Sequence, residues 1–411
     1  MKASISVAAR CVAGYAVRLH AVLRARHHVA SPLGAWLVLA LAGQASQGAD
    51  RAALIDVLGC DVDAAARAAG ELLADPHPLV AAAAAVWTAP RFPAAAGFRR
   101  WQAGLPAAVS SGDLPDQADL DAWAREHTFG LIDRFPVDAR QASLVLATAL
   151  ATKVSWQVPF QLAPASDLGG GSPWAGQLDR VLRAPAGPGA RGHVQFIAVT
   201  PDAGDVIVHG ATAAGGLIVV SVGARPDVPA GRVLAIAHDI GHALAVGEPV
   251  ARRDLASLPL GDLPLWRLQE VKAPADRCTA VLPAWSASSR HDLTDPVLGF
   301  AAAVRGLVPG ADAWDARQAA IARYSRTGFE AAAITTMVAA VAARIPARHR
   351  VAELRFAHPY AVVAVATDPA TDRGRPRTAG SPWHGLPVFS AWVSEPDDAD
   401  EDDHVPAGGQ L

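Results

Sequence analysis

Cysteine is scarce in this chain: three in 411 residues, Cys11, Cys60 and Cys278. An odd, widely spaced set excludes a disulfide framework, and none has zinc-site spacing. Charge is scarce too, at 18%, with a formal net charge of -3, so no basic field draws the chain to nucleic acid or an anionic membrane. Leu33 to Gly43, the longest early apolar stretch, is too short to span a bilayer. The N-terminus has no uninterrupted apolar segment, because Arg10, Arg18, His20, Arg24 and Arg26 break it into a basic amphipathic helix. Secretion is therefore unsupported, and a cytoplasmic protein without a membrane anchor is expected. There is no internal repeat and no Gly-x-Ser-x-Gly elbow. Gly169-Gly-Gly-Ser172 is followed by Pro173 rather than Lys and is no phosphate loop.

What is present is apolar substance, 51% of the residues, enough for a large core. Heavy use of Ala, Gly, Pro and Arg points to a GC-rich genome. Residues 7–29 read as a helix. Ser31-Pro32 supplies an N-cap and a first-turn proline for a second helix, whose body, Leu33 to Ala42, is apolar all round and hence buried. Further helices are expected over Ala49 to Leu58, Asp61 to Leu73 and Leu120 to Phe135, while Leu79 to Trp87 fits helix or buried strand. Ala142 to Ala151 reads as a buried strand, and residues 161–190 as irregular. From 193 to 285, short apolar runs such as Leu217 to Val222, Val233 to Ala237 and Thr279 to Leu282 read as strands. Leu293 to Leu307 and Ala316 to Tyr324 return to apolar periodicity, and Tyr360 to Thr367 and Pro387 to Val393 read as strands again. Six acidic residues in the seven from Asp397 to Asp403 read as a solvated, disordered tail. The class is α+β.

One run carries the functional signal. Residues 324–335 read Tyr-Ser-Arg-Thr-Gly-Phe-Glu-Ala-Ala-Ala-Ile-Thr, an acidic residue and three alanines entered through glycine, and Phe356-Ala-His-Pro-Tyr360 follows about two dozen residues later. Together with Ser31-Pro-Leu-Gly-Ala-Trp36, Leu54 to Gly59, Leu120-Asp-Ala-Trp123, Leu144 to Phe160, Leu282-Pro-Ala-Trp285 and Val388 to Pro396, this layout resembles the serpin family in order and spacing. The stretch 161–275 aligns least.

The resemblance implies helices packed around a large mixed β-sheet A, with further sheets B and C and an exposed reactive loop, in one domain over 1–396 followed by the tail, 397–411. It implies a monomeric, suicide-substrate inhibitor of a serine protease, with no catalytic cycle, metal or cofactor of its own. It also implies a divergent bacterial member and admits an extracellular location. The hinge would be Gly328, Phe329, Glu330, Ala331, Ala332, Ala333, Ile334 and Thr335. Small Ala331 and Ala333 suit entry into a sheet, whose side chains alternate, and Gly328 suits a turn. Counting from the hinge puts the scissile bond at Ala342-Ala343, for an elastase-like or subtilisin-like protease; Arg344 would suit a trypsin-like one. Ser31, Thr148 and Gln318 fall at the latch that governs sheet opening, with Thr148 and Gln318 where the family has Asn and His. Phe329 stands where Thr or Ser is usual, and an over-large group in a tight slot costs on the order of 1–3 kcal/mol. Arg326 also replaces a usual Glu. These departures favour a first alternative, a non-inhibitory serpin-fold binding protein.

A second alternative comes from His238-Asp-Ile-Gly-His242, which resembles the His-Asp pair of HD-type metal phosphohydrolases. There His238 and Asp239 would hold metal with His209 upstream and Asp262 or Asp292 downstream. The plainer reading is an exposed turn between strands. His27-His28, before the helix cap, reads as solvated.

Overall fold

A computed structural model describes residues 2–90, 92–186, 192–213, 215–311, 313–329, 348–368 and 381–400. The N-terminal third is helical: α1 (Lys2–Leu23), α2 (Pro32–Gly43), α3 (Gly48–Leu58) and α4 (Val62–Ala74), with α5 (Ala96–Ala103) and α6 (Gln117–His127) after it. The cap expected at Ser31 is present, and two more follow it. Ser31 Oγ accepts from Gly34 N, Asp61 accepts from Asp63 N and Ala64 N, and α3 stops at Gly59 in the left-handed region (φ 73°). α2 is buried on nearly every side, as its sequence requires, because it is packed between two sheets.

One sheet is antiparallel with six strands in the order β1 (His28–Ala30), β19 (Pro387–Val393), β18 (Tyr360–Ala366), β10 (Leu217–Gly223), β9 (Gly204–Ala213) and β8 (His193–Thr200). Its central strands are buried throughout their length, which explains unbroken apolar runs such as Tyr360 to Ala366. α2 covers one face, and α7 (Ala230–Val246) covers the other through Val233, Leu234, Ile236 and Ile240. A second six-stranded sheet runs β11 (Gly261–Asp262), β12 (Trp266–Lys272), β17 (Arg348–Arg355), β13 (Arg277–Leu282), β7 (Arg180–Arg183) and β6 (Gln161–Pro164).

The remaining strands form the divided main sheet. One part holds β3 (Val109–Asp113), β2 (Val80–Thr88) and β4 (Leu144–Thr152). The other holds β14 (Trp285–Asp292), β15 (Arg317–Tyr324), β16 (Gly328–Phe329) and β5 (Val154–Ser155). β5 continues the line of β4 beyond Lys153. α8 (Phe300–Leu307) connects β14 to β15.

Several expectations are corrected here. Val233 to Ala237 belongs to helix α7 and not to a strand. α6 ends at His127, well short of Phe135, because Phe129 (φ 54°) and Gly130 (φ 76°) both turn left-handed there. α1 ends at Leu23, and His28 enters β1. The irregular stretch 161–190 contains β6 and β7, and the choice over Leu79 to Trp87 falls to strand. Of the acidic tail, Asp397 to Asp400 are described and lie against the body: Asp397 N donates to Ala284 O, and Asp398 Oδ1 accepts from the amides of Asp179 and Arg180. Residues 401–411 lie outside the described residues.

Candidate functional site

The site grows from the head of β15. After Tyr324, residues 325–327 make the turn. Ser325 N donates to Gly328 O at 2.9 Å, and Ser325 Oγ bonds both Gly328 O and Gly328 N. The chain then doubles back. Phe329 pairs antiparallel with Tyr324 on one side and with Val154 on the other, and Gly328 pairs with Ser155. Gly328 therefore stands in the short strand and not in the turn expected of it.

Trp156 fixes this head. Its indole N–H donates to Ser325 O at 3.0 Å and its backbone N–H to Thr327 O at 3.0 Å, while Phe160 N donates to Arg326 O at 2.9 Å. Around it stand Tyr324, 5.1 Å from Trp156, and Trp285, stacked on Tyr324 at 6.1 Å. Phe329, the over-large residue that was expected to obstruct entry, is already inside. It is 4% exposed, with its ring edge-on to Trp285 at 6.3 Å.

Beyond Phe329 the two parts of the main sheet do not pair: among the described residues no strand lies between β4 and β15, and a narrow cleft separates them. Leu150 and Thr152 form one wall, Ala320 and Ala322 the other, with Phe389 of β19 and Ile132 also lining it. Thr128 braces the Ile132 segment, its Oγ1 accepting from Ile132 N and donating to Ala124 O.

The latch residues sit along this slot, and each wall is tied separately to the start of α2. Gln318 of β15 exchanges two hydrogen bonds with the Ser31 backbone, accepting from Ser31 N at 2.9 Å and donating to Ser31 O at 2.8 Å. Thr148 of β4 donates to Gly34 O at 2.9 Å. Among the described residues neither hydrogen-bonds to the other. Ser31 Oγ donates in turn to Val388 O, so α2, both walls and β19 share one polar junction. Hinge residues Glu330, Ala331, Ala332, Ala333, Ile334 and Thr335, and the bond candidates Ala342, Ala343 and Arg344, lie outside the described residues.

The metal constellation does not assemble. His238 and Asp239 are consecutive on α7, the first buried and the second exposed, so the exposed turn is corrected as well. His209 bonds His193 at 3.0 Å, Asp262 bonds Arg355, and Asp292 bonds Thr294. Among the described residues no group of three His, Cys, Asp or Glu could hold a metal ion.

Sequence reading missed a buried histidine row. His28, expected in solvent, is 4% exposed; its Nδ1 donates to Arg26 O at 2.7 Å, so its Nε2 accepts from His20 Nδ1 at 2.8 Å. His20 Nε2 then accepts from Ser390 Oγ. His291 bonds Val29 O, and the His238 ring lies 6.2 Å from that of His20, with neither of its nitrogens bonded among the described residues. Burial pushes all four below the usual imidazole range, His28 and His238 to about 4, with mutual repulsion and the nearby Arg26 adding to it.

No family model matches the chain. A search of curated proteins finds no match either. Solved structures do match over nearly the whole chain. A serpin from the trematode Schistosoma haematobium shares 13% identity at a TM-score of 0.60, covering 96% of this chain and 100% of its own. A thermophilic serpin, Tengpin, in its native state gives 12% and 0.61, over 96% and 94%. Human thyroxine-binding globulin complexed with thyroxine gives 11% and 0.63, over 96% and 99%. At such identities the likeness is one of fold: the chain has the α+β serpin fold. Among the described residues no helix is long and apolar enough to cross a membrane.

Proposed function

We propose that this protein is a serpin-type inhibitor of a serine protease and acts as a suicide substrate cut at Ala342-Ala343. The observation that carries the reading is the pairing of Gly328 and Phe329 at the head of the cleft between β15 and β4. The register is set there: Phe329 opposes Tyr324 and Val154. Extended along the slot, it brings Ala331 opposite Ala322 and Thr152, Ala333 opposite Ala320 and Leu150, and Thr335 opposite Gln318 and Thr148. Phe329, Ala322 and Ala320 are buried, so alternation turns Ala331, Ala333 and Thr335 inward and Glu330, Ala332 and Ile334 outward. The inward residues are the small ones, and Thr335 meets the polar junction.

The protease serine attacks the carbonyl of residue 342 and forms an acyl-enzyme. The cut loop then enters the slot as a strand, gaining ladder hydrogen bonds on both edges, and drags the tethered protease before water completes hydrolysis. Because Phe329 is already seated, the entry step that its size would hinder is complete before the protease arrives. The small residue at 342 suits an elastase-like or subtilisin-like enzyme.

A second reading, a non-inhibitory serpin-fold binding protein, is favoured by the junction at Gln318 and Thr148, where each wall is held to α2. Incubation with an elastase, a subtilisin and a trypsin, followed by denaturing gels and intact mass, separates the two. The inhibitor gives a boiling-resistant adduct and releases a fragment beginning at Ala343, and cleaved protein melts at a sharply higher temperature. Clean cleavage with neither adduct nor rise in melting temperature gives the second reading.

A further inference from the structure

A second pair of histidines holds the head of the cleft from behind. Residues 156–160 fasten the turn 325–327: the Trp156 indole, the Trp156 amide and the Phe160 amide donate to Ser325 O, Thr327 O and Arg326 O. This segment is itself fastened to β8 and β9. Gln157 N donates to Thr212 O at 3.0 Å, and the His193 ring bonds Val158 O at 2.7 Å. Pro159 has no N–H to give, so the bond at Val158 O holds the stretch that leads into Phe160. Gly192 (φ 94°) brings β8 so close that an added Cβ would stand 2.9 Å from the Gln157 Cβ.

The proton positions follow from these partners. Only an N–H can face a carbonyl, so His193 Nε2 carries the proton and donates to Val158 O. Nδ1 of the neutral ring then accepts from His209 Nε2 at 3.0 Å. That leaves His209 Nδ1 bare in a fully buried ring, with no partner among the described residues. Phe160 packs on both rings, at 4.9 and 5.2 Å, and Tyr324 packs on Phe160 at 5.7 Å. His193 is partly exposed, so a proton can reach the pair from solvent. It would find no counter-ion there. Lys153, Asp205, Arg277, Arg323, Tyr324 and Arg326 lie on the elements around the pair, and neither they nor the charged residues of β17 act on either ring. An added proton sets two N–H groups against each other across the 3.0 Å contact, or moves the His209 N–H to Nδ1, where nothing accepts it. Burial pushes both rings below the usual imidazole range; the His193 charge adds to this at His209, and the Val158 carbonyl opposes it at His193.

We propose that His193 is a positioning residue for the hinge turn, and that its pairing with His209 makes the hold on that turn release in acid. With both rings neutral, His193 holds Val158, residues 156–160 hold the turn 325–327, and Phe329 is seated behind it. A proton on the pair is tolerated only when the rings part and reach water, which gives up the bond to Val158 O. The hold is therefore complete above about pH 6.5 and weakens as pH falls, by up to about tenfold per pH unit for one proton. What this does to trapping rests on the proposed function, whereas the release of the turn does not.

The test is amide hydrogen exchange of the full chain between pH 7.5 and pH 5.5, followed by mass spectrometry and corrected for the intrinsic pH dependence of exchange. It needs no protease, so its outcome is independent of whether an adduct forms. The amides of Trp156 and Phe160 should lose protection by about tenfold from pH 6.5 to 5.5, while those of β18 in the core lose less. His193→Phe should leave the segment poorly protected at every pH. His193→Gln, whose amide can donate to Val158 O and accept from His209, should keep the protection at pH 7.5 and flatten its fall in acid. A merely structural role for His193 would not move that slope. Protection that does not fall with pH in the unaltered chain, or an equal fall in His193→Gln, would overturn the proposal.

Discussion

Phe329 is the residue on which reading from sequence alone was furthest from the structure. Its size suggested an obstacle, whereas it is a buried anchor against Trp285. The size was legible, but the aromatic surroundings were not, because Trp156, Trp285 and Tyr324 come from three separate segments. Phe329→Ala should lower stability by about 3 kcal/mol, a usual cost for emptying such a site, measured by urea unfolding; an unchanged midpoint would mean that the ring is not seated. The alternation derived from its register gives a sharper test. Ala333→Glu should leave the uncut protein as stable as before but cut adduct yield about tenfold or more, since an unpaired charge would have to enter the core. Ala332→Glu, one residue away and outward-facing, should leave the yield unchanged. Equal effects of the two on covalent yield would refute the register.

At the level of elements, Ser31-Pro32 announced α2 by its cap chemistry, while α1, α3, α4 and α6 were legible from apolar pattern alone. α7 has no side-chain cap, and its apolar stretch is short enough to fit either period, so it read as a strand. The histidine row was illegible for a related reason, since its members lie on α1, β1, α7 and β14 and meet only in three dimensions. It has an energetic consequence. Folded imidazoles held below their unfolded value stay neutral, so their contribution is complete above about pH 6.5 and is lost as pH falls toward 4. Protonating His28 would also place an N–H where its Nε2 now accepts from His20. The unfolding free energy from urea titrations should therefore fall between pH 7 and pH 4.5, by on the order of a few kcal/mol in total. His238→Phe should flatten that slope; an unchanged slope would show that His238 contributes nothing to it.

Over the whole molecule, the fold was legible because its landmarks stand in order along the chain, from Ser31-Pro32 to Val388-Phe389. The division of the main sheet was not, because a gap between strands leaves no mark on the pattern of either wall. A cleft between two strands that do not pair is a place for a third. A synthetic peptide of residues 331–342, added in excess, should raise the melting temperature and suppress adduct formation; a melt and a gel unchanged by the peptide would mean that the slot does not accept a strand. The slot also bears on what the uncut chain can do by itself. Ten residues in extended form, 330–339, would reach roughly 33 Å along it. About eight then remain before Arg348, where β17 is held between β12 and β13, and eight residues reach at most about 29 Å. Eight residues cannot retrace ten residues of extended strand, so an uncut loop that ran so far and came back the whole way would have to pull on β17. On the proposed function, one peptide bond is then the pin in a single-use ratchet: breaking it would free the strand to travel, and rejoining it would need the strand withdrawn first.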